Sequence, residues 1–118
     1  MSYDIEYRAK IEGYDELVKI RDSDANITYN VRELILKSSG WNIKNEDYNG
    51  TLINLIPLIM KGKVELLINK DKYKKYESPN GYGTIDGVIR FYDIIINDYY
   101  EIIKEYPQLD GFIHVYVC

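Results

Sequence analysis

The sequence predicts an α+β fold: a small antiparallel sheet, made of an N-terminal hairpin and a C-terminal strand, carries two long helices and one or two short ones on one face. Alternating apolar and polar residues near both ends favour strands, and an apolar period of three and four over Thr84–Tyr106 favours a long helix. A chain of 118 residues is predicted to form one domain, 1–118, with a buried core.

The N-terminal segment is predicted to form the hairpin. Apolar residues alternate with charged ones from Tyr3 to Ile11, and Gly13 then breaks the pattern. Leu17–Arg21 alternates in the same way and is interpreted as the second strand, with a short helix as the alternative. The polar run Asp22–Asn30 follows, where turn-forming residues predict a loop.

The middle of the chain is predicted to be mainly helical. Asn30 and Glu33 resemble a capping box, so a short helix is expected from Val31 to about Ser38, with Gly40 past its end. Residues 41–50 are expected to form a loop because they contain an Asn-Gly turn signal.

A second long helix is predicted over Thr51–Asn69, with a kink or break at Pro57 and a loose point at Gly62. Its apolar residues extend well around the circumference, which predicts deep burial. The basic segment Asp71–Tyr76 is predicted to form a short helix.

The long helix over Thr84–Tyr106 is the main structural element predicted from the sequence. Thr84 can cap its N-terminus, Pro107 ends it, and Asp86 and Arg90 form an i,i+4 pair on its polar side. The segment 112–118 then alternates as a terminal strand, which is expected to pair with the first strand.

Composition excludes some classes of function. A net charge of −4 argues against general nucleic-acid binding, which needs a basic face. Cys118 is the single cysteine and cannot form an internal disulfide, no signal peptide is evident, and no apolar run reaches the ~20 residues that span a bilayer. We therefore expect a cytoplasmic protein without a membrane partner.

The strongest local motif match in the sequence is to a calcium-binding loop. The oxygen-bearing side chains follow the spacing of an EF-hand loop: Asp22, Asp24, Asn26, Thr28, Asn30 and Glu33. The position that normally needs glycine is Ile27, which is β-branched and poorly suited to a positive φ. A polar loop that caps turns is therefore favoured over a metal site, and no metal or cofactor is expected.

No catalytic constellation is evident. His114 is the only histidine and is expected to pack on a strand face, and Cys118 is interpreted as an incidental thiol. The sequence therefore predicts a binding protein without enzymatic activity.

The outer face of the long helix is the first candidate contact surface. Phe91 lies at the edge of the polar arc and Ile94 near its centre, so either another element covers them, which is favoured, or they anchor a partner. In the second case the partner-binding residues would be Phe91, Ile94, Asp93, Asp98 and Glu101. An isologous dimer through this face is a further possibility.

A small-ligand site, for example for a nucleotide, is the alternative. Glycines directly before a helix N-terminus can cradle a phosphate, and tyrosines can stack on a base. The residues that would line this site are Asn26, Thr28, Tyr29, Asn30, Asn80, Gly81, Tyr82 and Thr84.

Three passages together resemble small proteins of phages, prophages and bacteria. These are Asn26-Ile27-Thr28-Tyr29-Asn30, often with histidine at position 29; Pro79-Asn80-Gly81-Tyr82-Gly83-Thr84, often with tryptophan at position 82; and Tyr106-Pro107. The resemblance implies an α+β fold, a mobile-element setting and a joint role for the first two passages, but no activity. With the acidic, compact chain, it leads us to expect an inhibitor of a host defence system, acting on a host protein as anti-CRISPR proteins do.

Overall fold

A computed structural model describes residues 1–78, 81 and 83–118. Within these residues the fold is α+β, with one antiparallel four-stranded sheet and four α-helices, which confirms the predicted class. The strands are β1 (Ser2–Lys10), β2 (Leu17–Thr28), β3 (Asp47–Thr51) and β4 (Ile113–Val117). The helices are α1 (Arg32–Ser39), α2 (Leu52–Ile68), α3 (Lys70–Tyr73) and α4 (Ile85–Glu105).

The sheet has the order β2-β1-β4-β3. Ile5 of β1 lies opposite Val117 of β4, so the predicted pairing of the first and last strands is confirmed. The interpretation of residues 41–50 as a loop was wrong in part, because Tyr48 of β3 pairs with Tyr116 of β4. This short polar strand has no alternation of apolar and polar residues that would predict it from sequence. It is a strand because it pairs with β4.

β2 continues through the predicted polar loop. Ala25 and Ile27 are buried while Asp24 and Asn26 are exposed, the period of two of a half-buried strand. Pairing with β1, through an irregularity between Asp4 and Glu6, overrides the turn preference of the Asx residues. The EF-hand-like loop is therefore wrong, because an extended strand cannot wrap its oxygens around one ion.

The start of α1 also differs from the prediction. A 3-10 turn over Tyr29–Val31 precedes it, and Val31 is the N-cap residue without any side-chain cap bond. The predicted capping box of Asn30 and Glu33 is therefore wrong. Gly40 ends the helix as expected, with a φ of 82° in the left-handed region that glycine favours.

α2 is one continuous helix, so Pro57 does not divide it. Gly62 is a point of close packing. A Cβ atom at this position would lie 2.7 Å from Ser39 Cβ and 2.9 Å from Tyr92 Cε2. The predicted deep burial of α2 was wrong on one side, where apolar side chains such as Met60 and Val64 are exposed. The next segment forms α3 and a 3-10 turn over Lys74–Tyr76, as predicted.

α4 begins and ends where the sequence predicted. Thr84 caps it by accepting a hydrogen bond from the Gly87 N–H at 3.0 Å, and a 3-10 turn over Pro107–Leu109 follows the helix. Its apolar face packs on the inner face of the sheet, where Tyr7 and Val115 are fully buried. No helix among the described residues is long and apolar enough to cross a membrane.

Buried tyrosines predict a loss of stability at alkaline pH. Tyr92 hydrogen-bonds Ser38 Oγ at 2.8 Å, and burial raises the pKa of the Tyr92 phenol to about 12. The unfolded chain loses this proton first, so stability is fully present below about pH 10 and falls as pH rises through the folded-state pKa. We expect the free energy of unfolding to drop by about 2.7 kcal/mol from this group between about pH 10 and about pH 12.

Urea unfolding at several alkaline pH values measures this loss. The Tyr92→Phe variant is the control, because it should lose less stability over the same range. Part of the alkaline loss should remain in the variant, since burial also raises the pKa of Tyr7 well above its ordinary value. An identical pH dependence in the variant would contradict the assignment to Tyr92.

Candidate functional site

A groove of about 610 Å³ lies between the C-terminal half of β2 and the N-terminal half of α4. One wall contains Asp24, Asn26, Ile27 and Thr28, and Met1 and Ser2 of the N-terminal segment also line it. The other wall contains Thr84, Gly87, Arg90, Phe91 and Ile94. The groove therefore brings together members of both residue sets that the sequence suggested.

The β2 wall presents main-chain groups. The Tyr29 N–H donates to the Met1 carbonyl at 3.3 Å, and the Cys118 N–H donates to the Asp4 carbonyl at 2.7 Å. Hydrogen-bonded and non-hydrogen-bonded pairs alternate along an antiparallel ladder. Because Tyr29 bonds to Met1, the next pair, Ser2–Thr28, is a non-hydrogen-bonded pair. Asp4–Asn26 is also a non-hydrogen-bonded pair, because the Asp4 carbonyl faces β4. The N–H and C=O groups of Asn26 and Thr28 therefore point away from β1, toward the open edge of the sheet.

The α4 wall is partly apolar. Phe91 is only 1% exposed and lies parallel to Trp41, with ring centroids 6.2 Å apart, so the favoured interpretation that another element covers it is confirmed. Ile94 is half-buried and packs against the core. Arg90 is exposed on the same wall; the predicted Asp86–Arg90 pair is wrong, because Asp86 pairs with Lys70 Nζ at 2.8 Å.

Parts of the two sequence passages that the resemblance linked are neighbours. A Cβ atom on Gly83 would lie 2.5 Å from Val31 Cγ1 and 3.5 Å from Thr28 Cγ2, so this glycine permits the close approach. Thr84 lines the groove beside Thr28.

Three other residues of the proposed ligand set, Tyr29, Asn30 and Gly81, do not line the groove. Tyr29 packs on Tyr3 with ring centroids 4.6 Å apart, and its hydroxyl donates to Asn45. Asn30 is exposed outside the groove, and Gly81 lies in a turn in which its N–H donates to the Ser78 carbonyl. Asn80 and Tyr82 lie outside the described residues, as does Pro79.

The N-terminus of α4 already holds an acidic side chain. Glu77 Oε2 accepts a hydrogen bond from the Ile85 N–H at 2.8 Å, and the Thr84 hydroxyl takes the Gly87 N–H. A carboxylate at this positive end of the helix dipole would repel a phosphate. The expectation that the glycine-rich turn cradles a phosphate is therefore not supported by this geometry.

Asp98 is an internal residue and not a contact residue. It is 4% exposed and accepts hydrogen bonds from Tyr7 Oη at 2.6 Å, from Arg21 Nη2 at 3.2 Å and from Ser23 Oγ. Burial, followed by the Asp98 carboxylate, raises the pKa of Tyr7 well above its usual value. The assignment of Asp98 to an outer partner-binding face is therefore wrong, because it joins α4 to β1 and β2.

The two remaining acidic residues of the predicted contact face lie at its margins. Glu101 is exposed and pairs with Arg21 Nη2 at 2.5 Å, and Asp93 pairs with Lys63 of α2 at 2.5 Å. With Phe91 and Asp98 buried, the five predicted contact residues do not form one continuous outer surface. Ile94 is the member of that set that both lines the groove and remains partly exposed.

The histidine and the cysteine lie on the sheet. His114 Nδ1 is 3.1 Å from Tyr48 Oη, which agrees with a packing role. Cys118 Sγ donates to Glu6 Oε1 at 2.9 Å, and desolvation and the carboxylate raise the pKa of the thiol to about 11. A thiol that remains protonated at neutral pH is a weak nucleophile.

Sequence reasoning missed Arg90, Met1 and Ser2 as groove residues. Arg90 is predicted only to pair with Asp86 on the polar side of the helix, and no sequence pattern indicates that Ser2 lies opposite Thr28. Within the part of the chain that is described, no three His, Cys, Asp or Glu side chains converge as a metal site would require.

Comparison of the chain with protein-family models, curated proteins and solved structures finds no match.

Proposed function

We propose that this chain is a non-enzymatic binding protein that takes an extended segment of a partner protein into the groove between β2 and α4. One observation carries the proposal: the register of the sheet directs the main-chain N–H and C=O groups of Asn26 and Thr28 toward the open edge of β2, and both residues line that groove. An added strand would hydrogen-bond to these groups, which is the recognition mode called β-augmentation.

The opposite wall supplies selectivity. Ile94, which is half-buried, offers an apolar contact for a side chain of the bound segment. Arg90 on the same wall and Asp24 on the β2 wall place one charge of each sign beside it. The charges favour a segment with a carboxylate near Arg90. Main-chain bonds would then give affinity, and these side chains would select the sequence.

We further propose that the partner is a host protein of a defence complex and that binding inhibits it in the host cytoplasm. This part of the proposal is supported by the resemblance to phage and prophage proteins and by the acidic, compact chain. An inhibitor needs only to occupy a surface, so a small domain with one binding groove is sufficient for the task.

A Thr28→Pro variant tests the sheet-edge mode. Thr28 has a φ of −65°, the value that proline fixes, and its N–H points away from β1, so the substitution should remove one outward donor while the fold remains. We expect at least a tenfold loss of partner recovery in quantitative copurification from host cells, which corresponds to about 1.4 kcal/mol.

The matched control is Thr28→Val, which keeps the N–H and loses only the hydroxyl. It should recover the partner as the wild-type chain does. Equal recovery by the proline variant, with an unchanged melting temperature, would rule out binding along this edge, and no recovery by the wild-type chain would remove the protein-partner proposal.

A small-ligand function is the second candidate, because a groove of about 610 Å³ lies within the range of ligand sites, about 300–1,000 Å³. Arg90 is the cation available to an acidic ligand, whereas Glu77 opposes a phosphate at the α4 N-terminus. A thermal-shift series with nucleotides distinguishes the two functions. A binder at ~100 times its dissociation constant adds roughly 2.7 kcal/mol to the free energy of unfolding.

A further inference from the structure

The outer side of α2 carries an exposed apolar stripe far from the groove residues in sequence. Ile53, Met60, Val64 and Leu67 have exposed fractions of 40%, 44%, 52% and 58%, and Pro57 is exposed between them. The opposite side of the helix is the one that packs into the core, for example through Ile59 and Leu66. α2 therefore has two apolar faces, and within the described chain only one of them is covered.

The stripe has the spacing of a coiled-coil seam. Its members, Ile53, Pro57, Met60, Val64 and Leu67, follow one another at steps of four, three, four and three residues. At ~100° per residue they fall within an arc of about 80°, and they extend along about 21 Å of helix. A narrow stripe with a period of 3.5 residues matches the contact surface of another helix, about two heptads long.

Two lysines lie beside the stripe, one on each side. Lys61 and Lys63 lie about 80° to either side of its centre line, at the positions that flank a coiled-coil seam. Asp93 of α4 pairs with Lys63 at 2.5 Å and offsets its charge, so Lys61 supplies the positive charge beside the stripe. A flanking charge of one sign selects a partner with a charge of the other sign.

We propose that this α2 seam, defined by Ile53, Pro57, Met60, Val64 and Leu67, docks an amphipathic helix of a partner protein whose apolar stripe is flanked by Asp or Glu. A second copy of this chain fits less well, because Lys61 of one copy would face the same lysine of the other when the two helices pack antiparallel. The seam is a second docking surface, and the proposal does not depend on the groove.

Two synthetic helical peptides of about two heptads test the inference by fluorescence anisotropy. Both carry leucine at the seam positions, one with glutamate and the other with lysine at the flanks. We expect the glutamate peptide to bind at least about tenfold more tightly than the lysine peptide, and the preference to shrink at high salt.

Variants assign the binding to the seam. Val64→Glu should weaken binding of the glutamate peptide at least about tenfold, while Leu58→Glu on the same helix should leave the affinity for this peptide unchanged. Leu58 is similarly exposed, at 38%, but lies off the stripe. Lys61→Glu should reduce the preference for the glutamate peptide over the lysine peptide. Thr28→Pro should leave this preference unchanged, so a failure of this inference can be told from a failure of the groove proposal.

Three results would overturn the inference. Equal binding of the two peptides, or no binding of either, would remove the acidic helix as the occupant. A wild-type dimer in sedimentation that Val64→Glu dissociates would make a second copy the occupant. Binding to phosphatidylserine vesicles that Val64→Glu abolishes, with no peptide bound, would identify a lipid surface.

Discussion

Replacing Asp98 with alanine is expected to lower the free energy of unfolding by about 2–4 kcal/mol. The carboxylate accepts three hydrogen bonds, and its loss leaves the Tyr7 hydroxyl buried without its acceptor. Arg21 is about a third exposed and also pairs with Glu101, so its charge would keep a partner and contact with water in the variant. The loss of stability should therefore stay below that caused by breaking a fully buried ion pair. Urea unfolding at neutral pH measures the difference.

Glu101→Ala is the matched control for Asp98→Ala. Both carboxylates lie on α4 and contact Arg21, but Glu101 is exposed, and exposed ion pairs contribute about 0–1 kcal/mol. We therefore expect at least a twofold larger effect at Asp98. Equal losses at the two positions would show that the buried network does not stabilise the contact between α4 and the sheet.

Gly62→Ala should destabilise the protein by about 1–3 kcal/mol, although alanine is the better helix former. The added methyl group would lie 2.7 Å from Ser39 Cβ and 3.1 Å from Ser39 Cα, so α1 and α2 would have to move apart. Tyr92 is also in the way, at 2.9 Å, and its hydrogen bond to Ser38 would be disturbed. Thermal and urea unfolding measure the effect.

The control for this prediction is Gly87→Ala in the first turn of α4. Among the described residues its added methyl would meet only the Thr84 hydroxyl, at 3.2 Å, so the gain in helix propensity of up to about 1 kcal/mol can offset the contact. We expect this variant to be at least as stable as wild type within about 0.5 kcal/mol. A stabilised Gly62→Ala variant would mean that α1 and α2 do not approach this closely.

The sequence predicted the elements whose signal is local. α4 has an apolar period over its whole length, a capping threonine and a terminating proline, and β1 and β4 alternate clearly. The polar half of β2 and the whole of β3 were missed because their own residues favour turns. Both become strands through pairing with a neighbour, which a local pattern does not contain.

The errors about the surface have one physical cause. A helical wheel gives the direction of a side chain but not what lies opposite it. Phe91 and Asp98 point away from the most apolar line of α4, yet Trp41 covers the first, and Tyr7 and Ser23 surround the second. The reverse error occurred on α2, where an apolar side was taken as buried and is exposed.

The groove shows what sequence reasoning could and could not supply. The resemblance linked the passage around Thr28 with the passage ending at Thr84, and both residues line the groove. The outward main-chain groups of Asn26 could not be predicted, because they depend on the register of β1 with β2 and with β4. Register is set by the whole sheet, so this half of the site is visible only in three dimensions.

The place of β4 in the middle of the sheet has a consequence for folding. β1 and β4 are neighbours, although every helix described here lies between them in the sequence. Contacts between such distant segments form slowly, because a long loop must close first. Until that loop closes, one edge of β1 and the apolar face of α4 are uncovered, so we expect aggregation to compete with refolding most strongly before β4 has docked.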